Sequence, residues 1–198
     1  MARFIHLNGP PGVGKSTIAS TFADRHPGVL NLDIDRVTAL VGGCRDRFSE
    51  SFAAGVLLAT AMARVHLASG HDVILPQMMT NVNAEEMAVF ESSASAAEAE
   101  YCQILLMANV ESAVDRCMER AKAGDPRQDA VSKVIEDNGV ARTSFGNSMH
   151  RSLSFQPAGS RTRLSTASGS GRADLPGCRS CTCDVNAAYR RHRHLGRR

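Results

Sequence analysis

The 198-residue chain predicts an α/β fold, a three-layer α/β/α sandwich around a mainly parallel sheet. Two observations carry that expectation. Short continuous apolar runs alternate with helical stretches through residues 1–140, the pattern of strands covered on both faces. Between the first such run and the first helix, Gly9-Pro10-Pro11-Gly12-Val13-Gly14-Lys15-Ser16 fits G-x-x-x-x-G-K-[ST] at every specified position. Together they select the P-loop NTPase version of the sandwich.

The elements follow in order. Arg3–Asn8 reads as a buried strand that ends where the Gly-Pro-Pro-Gly stretch forces a loop. Ser16–Ala23 reads as a helix, stopped before Pro27, and Val29–Asp33 as a second strand. From about Glu50 to Ser69 runs a helix rich in Ala, Leu and Met, apolar around much of its circumference and so expected to be buried. Gly70 closes it, and Asp72–Pro76 supplies a third strand. Asn83 to Ala97 is helical, with Asn83 as N-cap and Glu85 and Glu86 suiting the positive end of the helix dipole. Tyr101–Met107 is a fourth strand, and Glu111–Ala123 a helix broken at Gly124-Asp125-Pro126. Arg127–Asn138 is a candidate for one more helix.

After Val140 the chain changes character. Residues 1–140 hold 12 Lys+Arg against 18 Asp+Glu, whereas residues 141–198 hold 11 Arg, no Lys and two acids. So sharp a break divides the chain into a nucleotide-binding domain, 1–140, and a basic Arg/Ser/Gly-rich tail, 141–198, expected to be poorly ordered. No buried strand is legible in the tail, so the last strand and helix of the sandwich are expected to be missing. Arginine without lysine, among Ser, Gly, Ala and Pro, also has the composition of GC-rich coding sequence read in another frame. Cys178, Cys181 and Cys183 lie near His192 and His194, but only the first two have metal-ligand spacing, so zinc is not expected. The tail lacks the aromatic platform that accompanies single-strand binding, which disfavours a nucleic-acid partner. The most apolar stretch, Phe52–Ala63, is shorter than a bilayer span and is followed by Arg64, so no membrane partner is expected. With no secretory signal legible near Met1, a cytoplasmic location is expected.

The glycine loop supplies the chemistry. Glycines let the backbone curl so that successive N–H groups of residues 9–16 point at phosphate oxygens, and the helix N-terminus adds partial positive charge. Gly9, Pro10, Pro11, Gly12, Val13 and Gly14 form the cradle. Lys15 is expected to bridge the β- and γ-phosphates of ATP, Ser16 to ligate Mg²⁺, and Thr17 to reach the α-phosphate. Strand two leads into Leu32-Asp33-Ile34-Asp35-Arg36, and two carboxylates one residue apart suit a phosphoryl-transfer centre. Asp35 is the favoured base and Asp33 the metal-side partner, with the reverse order and a simple capping role both open. Strand three ends in Leu75-Pro76-Gln77 rather than an acid, and Asp72 sits at its far end, which argues against a motor ATPase. No Asn-Lys-x-Asp stretch reads guanine. Arg116 and Arg120, at i,i+4, share a helix face as lid arginines would, the alternative being a solvated face. His66 and His71 read as structural or solvated rather than catalytic.

Gly9–Ser16, Leu32–Arg36, Val41-Gly42-Gly43 and Gly70–Gln77 together resemble the AAA-type P-loop kinase-like ATP-binding proteins of bacteria. These are relatives of the chloramphenicol phosphotransferase, zeta-toxin and shikimate/gluconate kinase branches. The resemblance spans roughly residues 3–128. It implies about five parallel strands with the P-loop strand central, a catalytic aspartate at Asp33 or Asp35, and lid arginines at Arg116 and Arg120. It implies a kinase that passes phosphate from ATP to a small-molecule acceptor without naming the acceptor. Such proteins end in a further strand and helix whose connecting loop helps to hold adenine. Only Asp184–Tyr189 resembles the start of that helix here, so a catalytically inactive or regulatory nucleotide-binding protein is the rival expectation.

Overall fold

A computed structural model describes residues 1–44, 46–79, 83–122, 162–166, 172–174 and 182–184. Strands β1 (Arg3–Asn8), β2 (Leu30–Asn31), β3 (Val73–Leu75), β4 (Glu100–Met107) and β5 (Thr162–Thr166) form one sheet in the order β2-β3-β1-β4-β5. Every neighbouring pair is parallel. The P-loop strand is therefore the middle one, as expected. Helices α1 (Lys15–Arg25), α2 (Ile34–Thr38), α3 (Phe48–Ala68), α4 (Ala84–Ala96) and α5 (Val110–Lys122) complete the described fold. A separate antiparallel pair joins β6 (Arg172–Asp174) to β7 (Thr182–Asp184).

Because side chains alternate across a strand, each face of the sheet builds its own core. Ile5 and Leu7 join Ile18, Ala19 and Phe22 of α1 with Ile104 and Leu106. Phe4, on the opposite face, meets Val56, Ala59, Ala63 and Leu67 of α3 and Met87, Phe90 and Ala94 of α4. Phe4 stacks on Tyr101 at 5.5 Å and packs on Phe90 at 5.7 Å, fixing α4 to the sheet. At the strand origins, Asp72 accepts from the Arg3 backbone N–H at 2.8 Å and from its guanidinium Nε at 2.9 Å. That places Asp72 at the opposite end of the sheet from the glycine loop, as expected.

Several expectations need correction. The second strand is only Leu30–Asn31, and Asp33 and Asp35 belong to the cap and first turn of α2, not to a strand end. A five-residue helix is too short to show periodicity. Asn83 occupies the N-cap position of α4, yet its side chain makes no capping bond and instead donates to the Met78 carbonyl at 3.0 Å. A fifth strand does exist: Thr162–Thr166 pairs with Gln103–Met107, where the polar sequence Thr-Arg-Leu-Ser-Thr gives no apolar signal. Finally, Glu50–Ala68 is long and apolar enough to cross a membrane by length and composition, which the Phe52–Ala63 run understated. One side of it is committed to the core through Val56, Ala59, Ala63 and Leu67, while Leu57, Leu58, Met62 and Val65 are exposed, so the expected burial holds for one side only. The candidate helix at residues 127–138 and the histidines of the tail lie outside the described residues, as do Cys178 and Cys181.

Candidate functional site

β1 ends in Asn8, which is buried, and its side-chain oxygen accepts from Gly9 N–H at 2.7 Å and Met79 N–H at 2.8 Å. One carboxamide thus ties the start of the glycine loop to the segment after β3. Gly9 and Gly12 have positive φ because no side chain fits there. A Cβ on Gly9 would lie 2.5 Å from the Leu106 carbonyl oxygen, and one on Gly12 would overlap the Ala113 carbonyl oxygen. Gly14 (φ 100) caps α1 and faces open space. Pro10 and Val13 are buried and Pro11 half-buried, so Val13 pins the loop to the α1 face of the sheet. The glycine turns thus give residues 9–14 the tight curl that a cradle for phosphate oxygens requires.

Lys15 starts α1 and folds back under the loop, its ammonium donating to the Gly9 carbonyl at 2.7 Å and the Pro10 carbonyl at 2.9 Å. Burial lowers its pKa to about 8, and the charge of Arg120 lowers it further, while Asp35, Cys117 and Asp33 pull the other way. Asp33, Asp35 and Arg120, three of the residues singled out in the sequence, therefore act on one ammonium group. Ser16 is exposed and Thr17 half-buried in the first turn of α1.

Asp33 is buried. One carboxylate oxygen accepts from the Asp35 N–H at 3.1 Å, capping α2, and the other lies 3.7 Å from Arg36 Nε. Asp35 is exposed at the first turn. The capping alternative thus describes Asp33, while Asp35 presents its carboxylate outward.

α5 packs its first half directly on the loop, through the Ala113 carbonyl and the Cys117 thiol beside Gly12. Asn109 holds that end in place, accepting from Ser112 N–H at 3.2 Å. Burial raises the Cys117 pKa, opposed by Arg120, Lys15 and Arg116, so both arginines converge on the loop. Arg116 Nε is buried with no hydrogen-bond partner, a donor suited to an anion.

Sequence reasoning missed His6, which is fully buried on the α3/α4 face. Its Nε2 lies 2.8 Å from the Gln77 carbonyl, an obligate acceptor, so Nε2 carries the proton and Nδ1 accepts from Tyr101 OH at 2.9 Å. Burial drops its pKa to about 4, keeping the ring neutral. A lone histidine in an apolar run gives no sequence signal. Away from the site, His66 Nε2 meets the Gly28 carbonyl at 2.8 Å and its ring lies 5.3 Å from that of His71, a structural pairing as expected.

Known proteins bear on this arrangement in two ways. Among solved structures, a kinase candidate from Chloroflexus aurantiacus J-10-fl is 18% identical, with a TM-score of 0.58 over 98% of this chain and 96% of that one. The tunicamycin resistance protein of Deinococcus radiodurans is 13% identical, with a TM-score of 0.53 over 99% and 96%. At such identities the likeness is one of fold, a P-loop kinase-like sandwich. No curated protein sequence matches significantly. The sequence model of the AAA domain family matches residues 4–139, a stretch that holds the glycine loop, Asp33, Asp35, Arg116 and Arg120. The chain belongs to the AAA domain family.

Proposed function

We propose that the protein is an ATP-dependent phosphotransferase that moves the γ-phosphoryl group of ATP to a hydroxyl of a small molecule. The observation that carries this reading is the company Lys15 keeps: a three-glycine cradle, two aspartates and Arg120 around one ammonium group.

In this reading the N–H groups of residues 9–16 and Lys15 hold the triphosphate, and the arginines of α5 neutralise charge that spreads over the transferring group. Asp35 takes the proton from the acceptor hydroxyl. The acceptor oxygen then forms its bond to the γ-phosphorus as the bond to the β,γ-bridging oxygen breaks, and ADP leaves with that electron pair. Asp33, with both oxygens already engaged, is better suited to orient Asp35 and to hold Mg²⁺ through water than to act as base. Ser16 and Asp33 are the residues that would hold Mg²⁺, which supplies charge neutralisation on the phosphates when bound.

Thermal unfolding with and without Mg²⁺-ATP is the first test. At 100-fold excess over Kd, linkage adds about 2.7 kcal/mol, or roughly 5–10 °C, to the native chain and nothing to Lys15→Ala. Asp35→Asn keeps that shift and loses about 10²–10⁴ in acceptor-dependent ADP release. A shift without turnover on any hydroxyl acceptor would leave a nucleotide-binding protein that is not a kinase.

A further inference from the structure

α3 is apolar around much of its circumference, and one side of it packs on the sheet, α2 and α4. Val56, Ala59, Ala63 and Leu67 are buried. On the other side Leu57 and Val65 are each 73% exposed, Leu58 47% and Met62 43%, with Ala53, Ala61 and Ala68 exposed between them. A groove between α3 and α4, lined by Ala61, Arg64, Val65, Ala68, Ser93 and Ala96, continues the face. Leu57 and Val65, with the exposed alanines beside them, form an apolar stripe along the outer side of the helix.

The pattern along the stripe specifies what covers it. Glu50, Leu57 and Arg64 recur every seven residues, as do Ala54, Ala61 and Ala68, so both sets run along one face. A two-fold axis through Leu57 sets residue 57−n of one helix against 57+n of the other. Glu50 then meets the partner's Arg64, and the same pair forms again at the other end. Ala53 meets the partner's Ala61 and Ala54 the partner's Thr60, all small enough for close backbone approach. A parallel arrangement would instead set acid on acid and base on base. Among the described residues, the ion pair of Glu50 is an exposed 3.7 Å contact with Arg47, of a kind that contributes little and is readily exchanged. The basic tail is a poor cover: its longest apolar run is Ala187-Ala188-Tyr189.

We propose that α3 is a homodimer interface, two copies packing antiparallel about a two-fold axis at Leu57 with Glu50 of each facing Arg64 of the other. Such an isologous contact closes on itself and does not propagate.

Sedimentation equilibrium of the full chain at micromolar concentration should give twice the 21.2 kDa mass. Glu50→Arg or Arg64→Glu alone should weaken the dimer about tenfold or more, and the two together should restore it. Leu57→Asp should give a monomer with an unchanged melting profile in its nucleotide-binding domain. A native chain that stays monomeric overturns the proposal, as do single charge reversals that leave the dimer intact. Flotation of the native chain, but not Leu57→Asp, with phosphatidylcholine vesicles would overturn it in favour of a membrane.

Discussion

Lys15 sits close to its own titration point. Free protein with a pKa of about 8 carries the charge at pH 7 and loses it as the medium becomes alkaline. A bound triphosphate favours the charged form, so binding above pH 8 must take up a proton. Affinity for Mg²⁺-ATP should therefore fall by up to about tenfold per pH unit above pH 8, with proton uptake visible by calorimetry in buffers of different ionisation enthalpy. His6 works in the other direction along the pH scale. Its folded pKa of about 4 lies below the ordinary 6.5, so between those values the unfolded chain binds more protons. Stability should be unaffected by His6 above pH 6.5 and should fall by about 3 kcal/mol as the pH drops to 4. Urea unfolding at several pH values checks this, and His6→Asn should flatten the slope across that window. Gly12→Ala and Gly14→Ala both force an L side chain into positive φ, costing about 1–2 kcal/mol each. Gly12→Ala adds a collision with the Ala113 carbonyl, so only this variant should also dislodge α5. Equilibrium unfolding should rank it clearly below Gly14→Ala.

The elements show which sequence signals survive folding. β1 is legible to the residue, and α1, α3, α4 and β4 are legible to within a few, because each is long enough to display its period. The site residues of the glycine loop are legible for a different reason: backbone that must approach phosphate tolerates few side chains. α2 is not legible, since five residues give no period and Asp33, its cap, follows directly on an apolar run that reads as strand. β5 is not legible either, because its place at the end of the sheet rests on backbone pairing with β4 and not on an apolar run. The contact between α2 and α3 adds a prediction. Gly55 lies in the middle of α3, where alanine ordinarily gains up to about 1 kcal/mol of helix stability. A Cβ there would instead overlap the Thr38 hydroxyl and lie 3.1 Å from the Thr38 Cα. Gly55→Ala should therefore destabilise the protein by about 1–3 kcal/mol. Thr38→Ala in the same chain should recover part of that loss in a double-mutant cycle.

At the scale of the whole molecule, the family match stops at residue 139, next to the composition break at 141. The sheet does not stop there, because β5 lies beyond the break and pairs along Gln103–Met107. Cutting the chain after Val140 should thus bare the edge of β4, lowering the melting temperature and promoting association through that strand, which light scattering would report. The central position of β1 has a consequence in time as well as in space. Its two neighbours in the sheet are β3 and β4, and the pairing of Asn8 with Leu105 joins residues nearly a hundred positions apart. On a ribosome adding about 5–20 residues per second, the strand that carries the phosphate loop waits roughly 5–20 s for its second partner. Throughout that interval an apolar strand made at the start of synthesis has at least one edge uncovered, and both until β3 is made, so the chain is exposed to mispairing before its sheet can close around the phosphate loop.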